Sequence, residues 1–511
     1  MYIPVLDTES ASSLYMQLYE SLKQDLISTR LPARTRLPSK RILASQMGIS
    51  VNTVDAAYQQ LVSEGYLEAR AKSGYFVCDL GAHISRADST LSFVSDSALS
   101  FPPDSSVQAP RECVPEDRQG VDVLSSGRNQ DSNTTGTGDT LIDFSPNGVD
   151  LSALPLAKIR KIIRDVFEDN GALVFSNCDP QGAMCLRRAL CKYLRESRGM
   201  ICHPEQIILG AGTDYILQLL VQILRSTQKI EAVAMENPVY NKAYQIFTGL
   251  AVPVDLIPLD KAGIHMESLT ASRSNLVYTT PSHQFPLGII MPVSRRTELL
   301  AWASAAENRY IIEDDYDSEF RYAGRPIPAI SGLDAQNRVI YSGTFSKSIA
   351  PSVRISYLVV PPDLLAVYQR NLSYYNTTIT HLDQLVLARF IDNGDFERHI
   401  NRMRTLYRRK RDLFVQALTP YKKKLLISGT DAGLHLLCHV KNGMTEAQLV
   451  QNARNAATKV YGISSYYLLD RPGETTYASG VPESTVLLGY ASLTDDQIIK
   501  GVSTLARAWQ L

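Results

Sequence analysis

The stretch from Tyr341 to Tyr357, YSGTFSKSIAPSVRISY, constrains the chemistry and the fold of this chain more than any other. It places a single lysine, Lys347, among small and hydroxylated residues, and Arg354 follows seven positions later. Upstream, the segment IIEDDYDSEF (311–320) begins as the apolar end of a strand and continues with carboxylates and a tyrosine. Apolar strands alternate with amphipathic helices through this half of the chain, which predicts an α/β fold with a doubly wound, mainly parallel sheet.

The residues of these two segments match the requirements of one cofactor. A lysine amine can form a Schiff base with an aldehyde, hydroxyls and an arginine can bind a phosphate, and a buried carboxylate can pair with a protonated pyridine nitrogen. The three requirements together describe pyridoxal phosphate. From the residues alone, a solvated lysine in a serine-rich loop and a solvated acidic loop remain open as alternatives.

The composition indicates a globular protein of several domains. A chain of 511 residues is too long for one core and suggests two or three domains. Its content of 44% hydrophobic and 20% charged residues excludes overall disorder. Lys plus Arg and Asp plus Glu both total 52, so the net charge alone gives no indication of a nucleic-acid partner.

The seven cysteines are scattered without a CxxC pair, which favours reduced thiols and a cytoplasmic protein. Cys185, Cys191 and Cys202 lie near His203, but their spacing matches no common metal site, so we expect no metal. The N-terminus lacks a basic start followed by an apolar run, and no run of 18 apolar residues occurs. We therefore expect neither a signal peptide nor a membrane span.

Residues 1–79 predict a small DNA-binding domain. Their positive charge is concentrated, because no acidic residue occurs between Asp25 and Asp55. That gap contains Arg30, Arg34, Arg36, Lys40 and Arg41. A face of this kind can contact phosphates whatever the total charge of the domain.

The same region predicts three helices and a two-stranded wing. After a first helix over 14–27, Ser39 and Ser50 are expected to cap two short helices that end at Gly48 and Gly65. These two helices fit a helix-turn-helix, and the alternation in YLEARAKSGYFV fits a wing. The expected fold is therefore an α+β winged helix-turn-helix. A three-helix scaffold with a solvated basic loop is the alternative.

The start of the third helix is the expected reading surface. Val51, Asn52, Thr53 and Asp55 lie at the point where a recognition helix meets base edges. These residues therefore predict a double-stranded DNA operator as a partner.

Residues 80–141 predict an acidic, flexible linker. They contain nine Asp or Glu, four Arg and no Lys, a difference of −5, and they show no periodic core signal. A spacer is the simplest role for this segment, and association with the basic face of the DNA-binding domain is the alternative. A tether of this length lets two heads reach two half-sites while their bodies stay paired.

Both ends of the chain resemble one regulator family. The segments RLPSKRILASQMGISVNTV, EGYL and KSGYFV resemble the winged helix of GntR-family regulators. TTPSHQFPLGIIMPVSRR (279–296) and EDDYDSEF resemble the MocR branch of that family. The resemblance covers nearly the whole chain except the linker. It implies that residues 142–511 form a fold-type I aminotransferase-like body with a small C-terminal α/β domain, and that the protein is a head-to-tail homodimer in which each head lies over the partner's body.

In the head, the resemblance implies a set of DNA contacts. Arg41 would touch phosphate or the minor groove, and Asn52 and Thr53 would face bases. The wing residues implied to touch phosphate or the minor groove are Lys72, Ser73, Gly74 and Tyr75. Ser39 and Ser50, as helix caps, complete the expected DNA-binding set.

In the body, the resemblance gives each candidate residue a role. Lys347 is the Schiff-base lysine, Asp314 pairs with the pyridine nitrogen, and Tyr316 donates to or accepts from the ring hydroxyl. Tyr240 stacks on the pyridine ring, and His283 lies near the cofactor. The residues expected at the phosphate are Thr344, Ser346 and Arg354, together with the Gly212–Thr213 turn, whose N–H groups at a helix N-terminus suit an anion.

Four positions depart from the pattern of the relatives. Phe285 stands where aminotransferases usually have Asn, and Ser492 stands where relatives that bind an amino-acid carboxylate have Arg. Lys242 replaces a second, helper Arg, and Asn177 replaces a Tyr that reaches the partner subunit's phosphate. Because a serine cannot replace the bidentate clamp of an arginine, these departures place an amino-acid ligand in doubt.

The sequence therefore predicts a DNA-binding transcriptional regulator that depends on pyridoxal phosphate. Its body is expected to sense either pyridoxal phosphate itself or an amine or amino acid through Lys347, and a weak transaminase half-reaction remains possible. One alternative is an aminotransferase with an accessory DNA-binding head. Another is a DNA-binding protein whose body has become a structural dimer without cofactor.

Overall fold

The computed structural model describes residues 13–28, 30–70, 73–79, 141–227, 229–322, 327–468 and 484–511. The predicted linker, apart from Leu141, and the wing residue Lys72 lie outside these residues. Among the helices of the described residues, none combines the length and the apolar character needed to cross a membrane.

The helices of the described residues are α1 (Leu14–Ile27), α2 (Lys40–Met47), α3 (Val51–Ser63), α4 (Leu156–Asn170), α5 (Met184–Arg198), α6 (Thr213–Arg225), α7 (Asn241–Gly249), α8 (Met266–Ala271), α9 (Val293–Ser304), α10 (Pro362–Asn371), α11 (His381–Asp392), α12 (Asp395–Leu418), α13 (Glu446–Asn455) and α14 (Asp495–Ala508).

The strands are β1 (Leu67–Arg70), β2 (Gly74–Val77), β3 (Ile142–Asp143), β4 (Ile207–Gly210), β5 (Val233–Asn237), β6 (Val254–Asp260), β7 (Gly263–Ile264), β8 (Leu276–Thr279), β9 (Tyr310–Asp315), β10 (Val339–Thr344), β11 (Ser356–Val359), β12 (Leu425–Ser428), β13 (His435–Val440), β14 (Thr458–Lys459), β15 (Tyr461–Gly462) and β16 (Thr485–Gly489).

The head consists of α1, α2, α3 and the antiparallel hairpin β1–β2. As predicted, Ser39 Oγ accepts a hydrogen bond from Ile42 N (3.3 Å), and Ser50 Oγ accepts one from Thr53 N (3.0 Å). Gly48 follows α2 with a φ of 64°, a left-handed conformation that glycine adopts without strain. The described part of the head is therefore the winged helix-turn-helix that the sequence predicts.

The body is built around an eight-stranded sheet with the order β4-β11-β10-β9-β8-β5-β6-β7. The five central strands β10, β9, β8, β5 and β6 are parallel, whereas β11 runs antiparallel to both of its neighbours and β7 runs antiparallel to β6. Strands such as Leu276–Thr279 are buried along their whole length, as expected for a parallel sheet covered on both faces. The predicted mainly parallel sheet is confirmed.

A smaller C-terminal domain follows the helical region. Its sheet has the order β12-β13-β16-β15 and is antiparallel throughout. Two separate helices, α11 and α12, connect the end of α10 to this domain. Gly394, with a φ of 68°, lies at the break between α11 and α12.

The head also packs against the body of its own chain. Val293 and Ile327 of the body belong to the same buried apolar cluster as Leu61 and Tyr66 of the head. Val293 N donates a hydrogen bond to Glu64 O (3.0 Å), and a Cβ added at Gly65 would lie 2.7 Å from Pro292 Cβ. The contact is therefore close, and it places the end of α3 directly on the body.

Candidate cofactor and DNA sites

The candidate residues of the body lie at the carboxyl ends of neighbouring strands. Asp314 is near the end of β9, and Lys347 follows β10. The Gly212–Thr213 turn follows β4, Tyr240 follows β5, and His283 follows β8. In open α/β sheets a ligand binds at this edge, so the topology brings together residues that are far apart in the sequence.

Eight of the ten residues expected at the cofactor line one cavity: Thr213, Tyr240, Asp314, Tyr316, Thr344, Ser346, Lys347 and Arg354. The other two residues lie behind the cavity wall. Gly212 packs against the guanidinium of Arg354, and His283 is bonded to Tyr316. The remaining lining residues are Asn147, Asp214, Lys242, Thr280 and Phe285.

Lys347 points its amine at the entry segment of the body. Its Nζ donates hydrogen bonds to Pro146 O (3.2 Å) and to Asn147 Oδ1 (3.1 Å). Burial lowers the pKa of Lys347 to about 8, against the opposing effect of Asp317. Because a neutral amine is the nucleophile, this environment makes Lys347 far more reactive near neutral pH than a solvated lysine.

Asp314 is buried, with 4% of its surface exposed. Burial raises its pKa to about 7, although the hydroxyl of Tyr278 donates a hydrogen bond to Oδ2 and opposes the shift. The neighbouring carboxylates of Asp315 and Asp317 raise the pKa of Asp314 further. A cationic N–H facing Asp314 would stabilise the ionised carboxylate.

Tyr316 belongs to a polar cluster with His283 and Asp317, both of which are buried. Its hydroxyl donates to His283 O (2.8 Å) and lies 3.0 Å from His283 Nδ1. The same Nδ1 lies 2.9 Å from Asp317 Oδ2. Burial, followed by the charge of Asp317, holds the pKa of Tyr316 well above its usual range, so the phenol stays neutral.

Hydroxyls and a guanidinium gather at the other end of the cavity. Thr344 Oγ1 donates to Ser346 Oγ (3.3 Å), and Arg354 Nη2 donates to Asp214 Oδ2 (3.0 Å). Gly212 has a φ of 87°, and a Cβ added there would lie 2.3 Å from Arg354 Nη2. The absence of a side chain at Gly212 therefore leaves the space that the guanidinium occupies.

These features fit pyridoxal phosphate. Asp314 is a buried carboxylate that accepts a hydrogen bond from Tyr278 and, within the described part of the chain, forms no ion pair, which suits a pyridine N–H⁺. The turn at the N-terminus of the 13-residue helix α6, the Thr344 and Ser346 hydroxyls and Arg354 form a donor set for a dianionic phosphate. Lys347 lines the same cavity and would supply the amine.

The pKa values predict how cofactor capture depends on pH. Lys347 becomes neutral as the pH rises through about 8, and Asp314 loses its charge as the pH falls through about 7. Both effects weaken capture in acid, so the rate of cofactor capture should rise from about pH 6 and level off by about pH 9. Stopped-flow absorbance measures this rate. A midpoint near 10.5, the ordinary value for lysine, would contradict the assignment.

Gly212→Ala tests the phosphate end. The new Cβ would displace the Arg354 guanidinium, so the affinity for pyridoxal phosphate should fall about tenfold or more. The affinity for pyridoxal, which lacks the phosphate, should change little. Gly249→Ala is the matched control, since a Cβ there meets open space. Equal losses for both compounds would show that Gly212 does not act through phosphate.

The outer wall of the cavity is aromatic. The ring of Phe285 makes edge contacts with Tyr240 at 5.8 Å and with Tyr466 at 5.2 Å. Lys242 Nζ lies 3.7 Å from Asp214, which also binds Arg354. Ser492 is exposed and packs against Gly148, beyond the residues that line the cavity. Among the described lining residues, Arg354 is the one arginine.

The DNA-facing candidates lie on the head away from its core. Asn52 and Arg41 are exposed, and 43% of the surface of Val51 is exposed. Thr53 is half-buried, and its Oγ1 lies 2.9 Å from Ser50 Oγ. The start of α3 therefore presents Val51 and Asn52 to solvent, the position from which a recognition helix reaches base edges.

The wing candidates differ in exposure. Ser73 is exposed, Gly74 is half-buried against the side chain of Arg36, and Lys72 lies outside the described residues. The ring of Tyr75 packs edge-on against Tyr58 at 4.8 Å.

Asp55 does not project freely from the recognition helix. It accepts a hydrogen bond from Lys40 Nζ (2.8 Å), so the two side chains neutralise each other. The two side chains remain partly exposed, so the pair partly offsets the basic charge of Lys40 beside the start of α3.

Three residues of the site carried no role in the sequence interpretation. Asn147 binds Lys347 from 200 positions upstream, Tyr278 binds Asp314, and Asp317 binds His283. Asp317 lies in the acidic segment 311–320, but the turn after β9 decides which carboxylate of that segment faces which partner. Asn147 and Tyr278 carry no local signal, because tertiary packing alone brings them to the site.

Comparisons with known proteins place both parts of the chain. Residues 14–77 match the gntR family of bacterial regulatory proteins, and residues 140–490 match aminotransferase class I and II. A Bacillus subtilis protein named uncharacterized HTH-type transcriptional regulator YhdI is 37% identical over 99% of this chain and 98% of its own. A Rhizobium meliloti protein named probable rhizopine catabolism regulatory protein MocR is 30% identical over 99% of this chain and 95% of its own.

A solved structure resembles the body. Kynurenine aminotransferase of Pyrococcus horikoshii, in a crystal structure in complex with PMP, superposes with a TM-score of 0.62 and 26% identity, covering 73% of this chain and 91% of that one. PMP is the amine form of pyridoxal phosphate. Because the structural neighbour binds it in the same fold, the similarity supports pyridoxal phosphate as the cofactor here. The chain therefore belongs to the GntR family of bacterial regulatory proteins, in the MocR-type group that joins a DNA-binding head to an aminotransferase class I and II body.

Proposed function

We propose that this protein is a transcriptional regulator that depends on pyridoxal phosphate and binds a double-stranded DNA operator. The observation that carries the proposal is the presence in one chain of an exposed recognition-helix start and a cavity in which Lys347, Asp314 and Arg354 converge. In this proposal residues 1–79 are the DNA-binding domain, 80–141 the linker and 142–511 the cofactor-binding body. The protein acts in the cytoplasm.

Different residues of the cavity would bind different parts of the cofactor. When bound, pyridoxal phosphate supplies an aldehyde for an amine and a ring that withdraws electrons. Lys347 provides the amine, Asp314 holds the proton of the ring nitrogen, and Tyr240 covers the ring. Arg354 and the Thr344 and Ser346 hydroxyls bind the phosphate, and for this Arg354 exchanges Asp214 for the stronger dianion.

The effector that this cavity favours is pyridoxal phosphate itself. Apart from Lys347, the two cations that line the described part of the cavity, Arg354 and Lys242, already lie beside Asp214, and the outer wall is aromatic. A free amino acid would require a second bidentate cation for its carboxylate, and Ser492 does not supply one. An amine without a carboxylate is the second class of effector that fits Phe285 and Tyr466.

A segment of the body links the cavity to the head. Asp314 lies at the cavity, while its neighbour Asp315 pairs with Arg198 (2.7 Å), and Arg321 at the far end faces Glu64 of the head. Glu64 is fully buried and accepts from Tyr19 Oη at 2.7 and 2.8 Å. In this proposal, cofactor binding shifts residues 314–321 and so biases how the head docks, which requires different cofactor affinities in the two states.

The protein acts as a homodimer in this proposal. The region of α4 exposes large apolar side chains, among them Leu156, Leu173 and Phe175. An apolar patch of this kind suits a partner surface. The head contacts its own body in the structure, and the linker is long enough for the same contact to be made with the partner's body, which is the head-to-tail arrangement expected from the family.

An aminotransferase is the second candidate function. Lys347, Asp314 and Tyr316 line one cavity, and the structural neighbour is an aminotransferase. Phe285 and Ser492 lack the groups that position an amino-acid substrate in the relatives. We therefore propose that the protein acts mainly as a sensor and that it carries out a transaminase half-reaction only slowly.

The head variants Asn52→Ala and Arg41→Ala test DNA binding. Operators are first selected with the wild type from random duplexes. Asn52→Ala should relax the preference at one base pair, by about 1–3 kcal/mol, and Arg41→Ala should weaken binding to all sequences and reduce the salt slope by about one. Lys441→Ala, an exposed lysine of the body, is the control. If both head variants bound DNA as tightly and as selectively as the wild type, these residues would not form the surface that contacts DNA.

A further inference from the structure

Two cysteines of the body are in direct contact. Cys191 lies in α5 and Cys202 lies just beyond its end, and Cys202 Sγ donates to Cys191 Sγ at 3.6 Å. Cys191 is half-buried, so small reagents can reach it, whereas only 8% of Cys202 is exposed. A disulfide needs the sulfur atoms to approach by a further ~1.5 Å.

The segment between the two thiols contacts the cofactor loop. Arg198 lies within it, at the end of α5, and its side chain is almost completely buried. Its Nε lies 2.7 Å from Asp315 Oδ2, and its Nη2 donates to Ser282 Oγ (2.6 Å). Asp315 is adjacent to Asp314, so a bond that restrains the end of α5 acts on the carboxylate at the cofactor.

The surroundings of Cys191 favour its thiolate. The hydrogen bond from Cys202 lowers the pKa of Cys191 most; burial and the charge of Glu205 oppose this shift, and the charges of Arg195 and Arg187 support it. The thiolate is the nucleophile in thiol–disulfide exchange. Cys191 is therefore the attacking thiol and Cys202 the resolving one.

We propose that Cys191 and Cys202 form a reversible disulfide that tunes cofactor binding through Arg198 and Asp315. A low-molecular-weight disulfide is the oxidant. The Cys191 thiolate attacks one sulfur of this disulfide and releases one small thiolate, and Cys202 then attacks the mixed disulfide and releases the second. Two protons and two electrons leave the protein, and the small disulfide is reduced to two thiols.

The pairing is tested by titrating purified, full-length protein with oxidised glutathione. The intact mass should fall by two hydrogens, and peptide mapping should find Cys191 joined to Cys202. Cys191→Ser should abolish the cross-link, and peptide mapping should then find no peptide of the protein joined to Cys202. Cys185→Ser is the matched control on the same helix and should leave the cross-link unchanged. Separate alkylation of both thiols after the titration overturns the proposal.

The consequence is tested by the affinity of oxidised and reduced protein for pyridoxal phosphate. The two forms should differ by about fivefold or more, and Cys191→Ser should lose the difference. Failure of both forms to bind the cofactor would refute the proposed function and not the pairing, which the mass measures independently. A cross-link without any change in affinity would overturn the regulatory role.

Discussion

Lys347→Ala should abolish the visible absorbance of the cofactor-bound protein and lower the affinity for pyridoxal phosphate by more than about 100-fold. The amine lies in the cavity, held by Pro146 O and Asn147 Oδ1, and burial lowers its pKa to about 8. Alanine removes the nucleophile and leaves the phosphate and ring contacts. The fold should persist, because the side chain is half-buried at the edge of the sheet.

Borohydride reduction followed by peptide mapping gives a second readout. In the wild type the cofactor should remain attached to the peptide that contains Lys347, and in Lys347→Ala no peptide should carry it. Lys441→Ala controls for the loss of a lysine elsewhere in the body. Attachment to Lys242, the other lysine that lines the cavity, would contradict the assignment.

Arg321→Ala should uncouple the head from the cofactor. Burial raises the pKa of Glu64, and the charge of Lys23, 3.9 Å away, opposes this shift more strongly than the charge of Arg321 on the body. Without Arg321, the buried carboxylate keeps Tyr19 and Lys23 but loses its partner on the body. We expect the ratio of DNA affinities with and without cofactor to fall from about 5–150 to near one.

The DNA affinity measured without cofactor and the cofactor affinity measured without DNA should stay near the wild-type values, since Arg321 lies outside both sites, and the DNA affinity with cofactor should be the one that changes. Fluorescence anisotropy of a labelled operator, with and without pyridoxal phosphate, measures the ratio. Arg273→Ala, an exposed arginine paired with Asp255 on the body, should keep full coupling. Full coupling in Arg321→Ala would mean that residues 314–321 do not carry the signal.

Local signals predicted much of the architecture. The caps at Ser39 and Ser50 and the limits of α1 follow from short-range rules on hydrogen bonding and periodicity, and these elements form where the sequence places them. The mainly parallel sheet follows from the alternation of strands and helices. Eight of the ten cofactor candidates line one cavity because they lie in or beside the strand ends that the sheet aligns.

Contacts between distant segments were beyond the reach of the sequence. Nothing in the motifs indicated that Asn147 would bind Lys347, since tertiary packing alone joins them. The pairing of Lys40 with Asp55 likewise depends on the angle between α2 and α3, which no periodicity specifies. Glu64 shows the same limit, because a carboxylate at a helix end is normally solvated and here it is buried against the body.

Operator binding with and without pyridoxal phosphate, in the wild type and in Lys347→Ala, tests the central claim most directly. The wild type should change its DNA affinity by about fivefold or more when the cofactor is added. Lys347→Ala should bind the operator with one affinity under both conditions. A cofactor response that survives in Lys347→Ala, or a wild type whose DNA affinity ignores the cofactor, would contradict a regulator that senses pyridoxal phosphate through this lysine.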